Sequence, residues 1–199
     1  MLSVRDLHRR GMATLVASWE AYAGGSEAAS VLRTHEVAAA IFPSEPARAV
    51  YNNAIPVRDL GPAERAAALD AIEAAYAEAG VGRFAVWVHE SDEALRRDVK
   101  ARRYSLDTAT RSMGLALADL RVPRPDIDAE PADLAAHARV GELPTGLLDT
   151  VDDRSFHVLV ARLGAEAVST GIALDRHGDC GIYNVGTLER AGGAGSGRP

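Results

Sequence analysis

The sequence predicts a mixed α/β (α+β) fold, in which helices flank a mostly antiparallel sheet. Two observations support this class. The last third of the chain contains three apolar runs separated by turns, and the first 120 residues alternate strand-like runs with amphipathic helical stretches. Short turns between neighbouring runs favour antiparallel pairing, whereas the longer helical segments need the faces of a sheet to cover them.

The final third carries the clearest strand pattern. Phe156, Val158 and Val160 alternate with the residues between them, which is the two-residue period of a strand. The turn at Gly164-Ala165 and the polar turn at 175–179 separate this run from two more strand-like runs, 168–174 and 180–188.

The earlier part of the chain reads as helix, strand, strand, helix, strand, helix, strand. The predicted helices are 4–22, the stretch beginning at Pro62 and the stretch capped by Ser91, and the predicted strands are 35–42, 49–57, 83–89 and 110–120. Strand 83–89 is apolar on both faces, which predicts a central position in the sheet. Trp19 and Tyr22 are interpreted as core anchors rather than site residues, and Asn52-Asn53 as a bulge or strand end. Prolines in 121–130 predict a linker, and Pro131 is expected to open a further helix.

Composition excludes several classes of protein. The chain has 199 residues with a net charge of −6, which argues against a nucleic-acid partner. No apolar run approaches the roughly 20 residues of a membrane span, and no secretory signal is present. A single cysteine, Cys180, excludes an internal disulfide, so we expect a cytoplasmic protein. The histidines and Cys180 form no metal-ligand pattern, so no metal site is predicted, and Cys180 is interpreted as a small buried residue.

A glycine cluster follows the last predicted strand. Gly193, Gly195 and Gly197 alternate with other residues, and closely spaced glycines expose backbone N–H groups that can hold a phosphate. Glycine clusters also occur in flexible tails, so the pattern alone is weak.

A meander of strands that leads into such a glycine loop resembles the GNAT superfamily of acetyl-CoA-dependent N-acetyltransferases. In that family a strand runs into an Arg/Gln-x-x-Gly-x-Gly/Ala loop, which begins a helix and holds the pyrophosphate of acetyl-CoA. The resemblance implies that Gly193, Gly195 and Gly197 hold the pyrophosphate, and that the backbone of Val185 and Thr187 lies along the pantetheine arm. It implies acetyl transfer to the amine of a small molecule or peptide.

The resemblance also predicts a domain organisation. Residues 1–120 are similar to a degenerate GNAT half of a tandem protein, with no glycine phosphate loop between its strands, and residues 131–199 to the start of a second half. Gly192 and Ala194 stand where the family pattern has arginine, and the chain ends within the loop. We therefore expect a truncated or frameshifted member, in which an uncovered final strand favours homodimers.

No general base is identified from the sequence. Glu189 and His157 lie near the predicted site, but both also fit a surface position. The acids Asp149, Asp152 and Asp153 could hold an amine, although a solvated loop is their more common role. A non-catalytic remnant or binding module of the same family is the alternative function.

Overall fold

The computed structural model describes residues 3–121, 123, 129–144, 147–148, 151, 154 and 156–192. The chain divides into two compact units. The central unit comprises residues 26–111, and the split unit comprises residues 1–25 together with 112–199. The N-terminal helix groups with the C-terminal strands. The predicted division into 1–120, a linker at 121–130 and 131–199 stays a prediction. The tandem origin of the two halves stays a prediction.

The central unit contains a four-stranded sheet with two helices. Its strands in sheet order are β1 (Ser30–Arg33), β2 (Val37–Ile41), β3 (Asn53–Pro56) and β4 (Ala85–Val86), and its helices are α2 (Pro62–Glu78) and α3 (Glu93–Ala101). The first three strands are antiparallel, whereas β3 and β4 are parallel. A parallel pair needs a long crossover, and α2 provides it.

Helix α2 buries one face against β2 and β3. Leu69, Ile72 and Tyr76 are fully buried, at the spacing expected for one face of a helix. The Tyr76 hydroxyl donates to the Ala40 carbonyl at 2.9 Å, and its ring stacks on Phe84 at 4.3 Å. The phenol is therefore satisfied within the core, which fixes the helix relative to the sheet.

The split unit contains a second four-stranded sheet, which is antiparallel. Its strands in sheet order are β5 (Ala129–Pro131), β6 (Phe156–Leu163), β7 (Glu166–Arg176) and β8 (Asp179–Thr187), and its helices are α1 (Val4–Gly24) and α4 (Leu134–Val140). Both helices pack on this sheet, α1 against β7 and β8, and α4 against β6 and β7. Ser3 and Asp6 form a capping box at the start of α1, and Asp133 caps α4.

The two faces of this second sheet differ. Alternate residues of β6 and β7 are buried on one face: Phe156, Val158, Val160, Val168, Ile172 and Leu174. On the other face Leu159, Ile182 and Val185 are exposed. One face of the sheet therefore supplies the core of the split unit, and the other stays open within the described residues.

Several predicted elements are confirmed, including the helix at 4–22, the helix beginning at Pro62 and the strands near 37–41, 156–163 and 179–187. The mostly antiparallel sheet architecture with flanking helices is also present. Trp19 is buried, as predicted. Asn53 begins β3, whereas the Asn52 amide is fully buried and hydrogen-bonds backbone groups of Phe42, Glu45 and Arg48. The pair therefore stabilises the loop that enters the strand.

Other element predictions are wrong. Segment 110–120 is not a strand, because no strand pairs with it, and Met113 is 88% exposed. The predicted strand 83–89 shortens to Ala85–Val86 and lies at the sheet edge rather than at its centre. Pro131 ends β5, and the following helix begins at Leu134. Strand β1 was not predicted, because its four residues are too short to show a period.

Candidate functional site

Strand β8 carries an irregularity near its C-terminal end. Ile172 pairs with Tyr183, but Thr170 pairs with Gly186, so β8 has one residue more than β7 between these pairs. Asn184 has a φ of 47°, in the left-handed region that asparagine tolerates better than most residues. This β-bulge locally changes the direction of the strand at the position where the predicted pantetheine contacts begin.

Helix α1 fixes the bulge through two side-chain hydrogen bonds. The Asn184 Nδ2 donates to the Tyr22 hydroxyl at 2.9 Å, and the Tyr183 hydroxyl donates to Thr14 Oγ1 at 2.7 Å. The Tyr22 ring stacks on Phe156 at 5.3 Å, and burial raises the pKa of its phenol, which stays neutral. Tyr22 therefore acts as a core anchor that also contacts the candidate site.

The outer edge of β8 has no partner strand among the described residues. The Leu188 N–H donates to the Val168 carbonyl at 2.8 Å, toward β7. Because peptide groups alternate along a strand, that of Thr187 faces the outer edge, whereas Val185 lies within the bulge, where the alternation is interrupted. Ser169 Oγ lies 2.9 Å from both the Gly186 carbonyl oxygen and Thr187 Oγ1, and these contacts fix this end of β8 on β7.

A buried histidine supports the sheet behind the bulge. Thr170 Oγ1 donates to the Leu159 carbonyl at 3.1 Å, so the His137 Nδ1–H donates to Thr170 Oγ1 at 2.9 Å. Burial lowers the pKa of His137, and the imidazole is neutral. Its Nε2 is buried and has no hydrogen-bond partner in the described part of the chain. This residue escaped the sequence analysis because a single histidine in a short helix carries no pattern.

A polar line crosses the open face of the same sheet. His157 Nε2 lies 3.0 Å from Asp175 Oδ2. The Cys180 thiol donates to the same carboxylate and, together with His157, lowers the pKa of Asp175. Burial and the Asp175 carboxylate raise the pKa of the Cys180 thiol, which makes it a poor nucleophile. Cys180 is exposed, so its interpretation as a buried apolar residue is wrong.

The predicted site residues divide into two groups. Val185 is 69% exposed, and Thr187 ends β8 beside it, so both lie at the free edge. Gly193, Gly195 and Gly197 lie outside the described residues, as do Asp149, Asp152 and Asp153. The predicted phosphate cradle therefore stays a prediction.

The central unit contains a loop that the sequence analysis missed. Residues 58–63 read Arg-Asp-Leu-Gly-Pro-Ala, which matches the family pattern Arg/Gln-x-x-Gly-x-Gly/Ala. The loop connects β3 to the N-terminus of α2, and β3 pairs in parallel with the strand that follows the helix. The match is one of sequence spacing alone, so the expectation that this part of the chain has no glycine phosphate loop stays a prediction. The match was not recognised in the sequence because this segment has a proline inside the pattern and only one glycine.

Side chains of the central unit occupy the anion-binding positions of this loop. The Gly61 N–H donates to Glu64 Oε2 at 2.7 Å, and Pro62 has no N–H to offer. Asp59 adds a second carboxylate, and the Arg58 guanidinium donates to Ser91 Oγ at 3.0 Å. An incoming phosphate would meet negative charge and fewer donors than a helix N-terminus normally presents. The loop therefore matches the spacing of the pattern, but its charges and donors do not favour an anion.

Beyond Ala54 and Val86 the parallel strands of the central unit have no further paired residues. The Ala54 carbonyl accepts from Trp87 N–H at 2.8 Å, and Val57 N–H turns the other way, toward Glu36. By alternation, Pro56 faces β4, where its missing N–H leaves no donor unpaired.

The described residues support neither a metal site nor a membrane-spanning helix. No group of three or more His, Cys, Asp or Glu side chains is arranged to hold a metal ion there. None of the helices in that part of the chain is long and apolar enough to cross a membrane.

Comparison with solved structures identifies the fold. A GCN5-related N-acetyltransferase from Kribbella flavida matches 91% of this chain and 75% of its own, with 18% sequence identity and a TM-score of 0.57. A functionally unknown conserved protein from Staphylococcus epidermidis matches 83% of this chain and 74% of its own, with 10% identity and a TM-score of 0.48. Protein-family models and curated proteins give no match. The chain therefore has a mixed α+β, GNAT-like fold.

Proposed function

We propose that this chain is an N-acyltransferase of the GNAT type, which transfers an acetyl group from acetyl-CoA to an amine of a small molecule or peptide. The fold and its likeness to a GCN5-related N-acetyltransferase support the coarse class. The free, bulged edge of β8 is the observation that carries the proposal to a site. The expected cytoplasmic location and tandem origin belong to the same proposal.

The residues of β8 fit a pantetheine arm. This arm contains two amide groups, and an extended amide chain binds a sheet edge through the same backbone hydrogen bonds as a strand. The peptide group of Thr187 faces that edge, and Val185 lies in the bulge beside it. Acetyl-CoA would supply the acetyl group as a thioester, and the products are CoA and an acetylated amine.

The bulge gives this edge a fixed shape before any ligand binds. Asn184 and Tyr183 are both held by α1, and Gly186 is held by Ser169 on the opposite strand. Groups that are already ordered lose little conformational entropy on binding. A rigid edge is thus suited to position a reacting thioester.

A proline substitution tests the edge directly. Thr187→Pro removes one outward N–H and leaves the β7–β8 backbone hydrogen bonds intact, since proline is tolerated on edge strands. It also removes the contact between Thr187 Oγ1 and Ser169 Oγ. We expect acetyl-CoA binding, measured by calorimetry on the full chain, to weaken about tenfold through the loss of one backbone hydrogen bond.

Thr187→Val is the matched control, because it keeps the backbone donor and the shape of the side chain. It should bind acetyl-CoA like the unchanged protein. Equal affinities in the proline and valine variants would contradict the proposed edge.

A non-catalytic binding module is the second candidate, and the central unit favours it. Glu64 and Pro62 close the one described helix N-terminus that carries the family pattern. Release of CoA thiol in the presence of a panel of amines separates the two candidates. Binding of acetyl-CoA without release for any amine would support the binding module.

We also propose that the chain forms a homodimer. The open face of the second sheet exposes Leu159, Ile182 and Val185, and contiguous apolar surface favours association.

A further inference from the structure

A cleft of about 420 Å³ opens in the split unit at the end of the sheet where β8 finishes. The C-terminal end of α4, the turn between β6 and β7, and the segment that follows β8 form its walls. Three arginines line it, one from each of these walls: Arg139, Arg162 and Arg190. We define this feature as the arginine cleft.

The arginine cleft is cationic although the whole chain has a net charge of −6. Among the described lining residues, Glu166 is the one carboxylate. Arg190 pairs with Glu166, and Arg162 pairs with Glu130 of β5. Arg139 lines the cleft without an ion pair to any described residue.

The two existing ion pairs leave room for a ligand. The side chains of Arg190 and Glu166 are 63% and 56% exposed, and solvent-exposed pairs of this kind stabilise a protein little. An anion with more charge than one carboxylate can therefore compete for the same guanidinium. Arg162 Nη1 also donates to the Ala165 carbonyl at 3.0 Å, which holds this arginine in the wall of the cleft.

The chemistry of the lining selects a phosphate. A guanidinium presents a planar fork of N–H donors that matches two oxygens of one phosphate, and it stays charged at every physiological pH. Val140 and Leu188 form the apolar part of the lining.

The position of the cleft connects it to β8. Leu188 and Arg190 follow directly on this strand. The two positions where the family pattern places arginine are Gly192 and Ala194, so the segment after β8 carries no cation at either of them. We propose that the arginine cleft binds a phosphate-bearing ligand, and that Arg139, Arg162 and Arg190 supply the positive charge that these two positions lack. Where that ligand is acetyl-CoA, the inference rests on the proposed function.

The test compares phosphate-containing and phosphate-free probes on the full chain. Calorimetry measures the affinities for pyrophosphate, adenosine 3′,5′-bisphosphate, acetyl-CoA and S-acetylpantetheine, which has the same arm without the nucleotide. In the double variant Arg139→Gln/Arg190→Gln we expect pyrophosphate affinity to fall about tenfold or more. Both arginines are exposed, so folding should persist, and a thermal melt checks this.

Two control variants define what the loss means. Arg176→Gln removes an exposed arginine from the opposite end of β7, and it should leave pyrophosphate binding unchanged. Arg139→Lys/Arg190→Lys keeps the charge and removes the fork, so its affinity should lie between those of the unchanged protein and the glutamine variant. Added salt should weaken the pyrophosphate interaction in the unchanged protein.

The pattern of losses identifies the source of the phosphate. If the glutamine variant weakens acetyl-CoA but not S-acetylpantetheine, the ligand is the co-substrate. If it weakens pyrophosphate and the bisphosphate but not acetyl-CoA, the cleft takes a separate phosphorylated ligand. Cleft-dependent pyrophosphate binding by a protein that does not bind acetyl-CoA would refute the proposed function alone. Pyrophosphate affinity that is unchanged in the glutamine variant, or equally reduced in Arg176→Gln, overturns the arginine cleft.

Discussion

The two units of this protein differ in whether the region around a strand end leaves backbone N–H groups free for a ligand. In the central unit, strand β3 leads through the Arg58–Ala63 loop into a long helix, and Glu64 closes the helix N-terminus. In the split unit, β8 ends in a bulged edge whose outward peptide groups have no partner in the described residues. The central unit thus matches the family pattern better in sequence, yet it presents fewer free N–H donors to a ligand.

The difference shows that a spacing pattern and a binding site are separate properties. Spacing determines where a chain can turn from a strand into a helix, and Arg58–Ala63 satisfies it. Binding depends on free donors and on charge, which Pro62, Glu64 and Asp59 reduce. The edge of β8 offers backbone donors, and the arginine cleft offers positive charge.

The largest expected contrast is between a side chain in the core of the central unit and one on the open face of the second sheet. Ile72→Ala in the central unit removes a fully buried side chain, so it should destabilise folding by about 2–5 kcal/mol. Ile182→Ala in the split unit removes one that is 63% exposed, so the change should stay within about 0.5 kcal/mol. Urea denaturation measures both. A large loss in Ile182→Ala would mean that something covers the open face in solution, for example a second copy of the chain.

A smaller effect is expected at the closed loop. Glu64→Ala removes the carboxylate that accepts the Gly61 N–H, and loss of such a cap should lower stability by about 0.5–2 kcal/mol. Acetyl-CoA affinity should not change, because Pro62 still lacks a donor. Glu78→Ala, which removes a carboxylate at the C-terminal end of the same helix, should be neutral or slightly stabilising.

The same variant can contradict the comparison. If Glu64→Ala gains acetyl-CoA affinity, and the gain persists when Thr187→Pro is added, the closed loop of the central unit is a binding site after all.

The smallest expected effect is a change in pH dependence. Burial lowers the pKa of His137 below its ordinary value of 6.5, so the unfolded chain binds more protons than the folded one between the two pKa values. The stability linked to the neutral His137 is present above pH 6.5 and is lost as the pH falls through the pKa of His137 in the folded protein. His137→Gln should flatten the fall in stability below pH 6.5, measured by urea denaturation at a series of pH values.

His35→Gln, at an exposed histidine of the central unit, is the control substitution. A slope that is identical in His137→Gln and the unchanged protein would show that His137 is not buried neutral behind the bulge.

Much of the fold could be predicted because the signals are local. The period of α2 and the alternation of β6 to β8 follow from neighbouring residues, and both are confirmed. Prediction failed for segment 110–120, whose alternation looked like a strand although no partner strand exists for it. It also failed for β4, since two paired residues form a strand only through β3. Strand pairing is a long-range property that a short window cannot contain.

The candidate site was predicted only in part. Val185 and Thr187 were located from the strand pattern, and both lie at the free edge. The bulge at Asn184, the anchors Tyr22 and Thr14 on a distant helix, and the three arginines of the cleft were not found. Each of these depends on residues from different elements, which sequence spacing does not bring together.

By itself the sequence determined the helices α1 and α2 and the strands β6 to β8, because hydrophobic period, caps and turn residues act over a few residues. It also determined the acidic net charge. Only the tertiary structure decided which loop is closed and which edge is open. Those outcomes depend on where Glu64, the partners of β8 and three separate arginines lie in space, and electrostatics and hydrogen bonding act through space rather than along the chain.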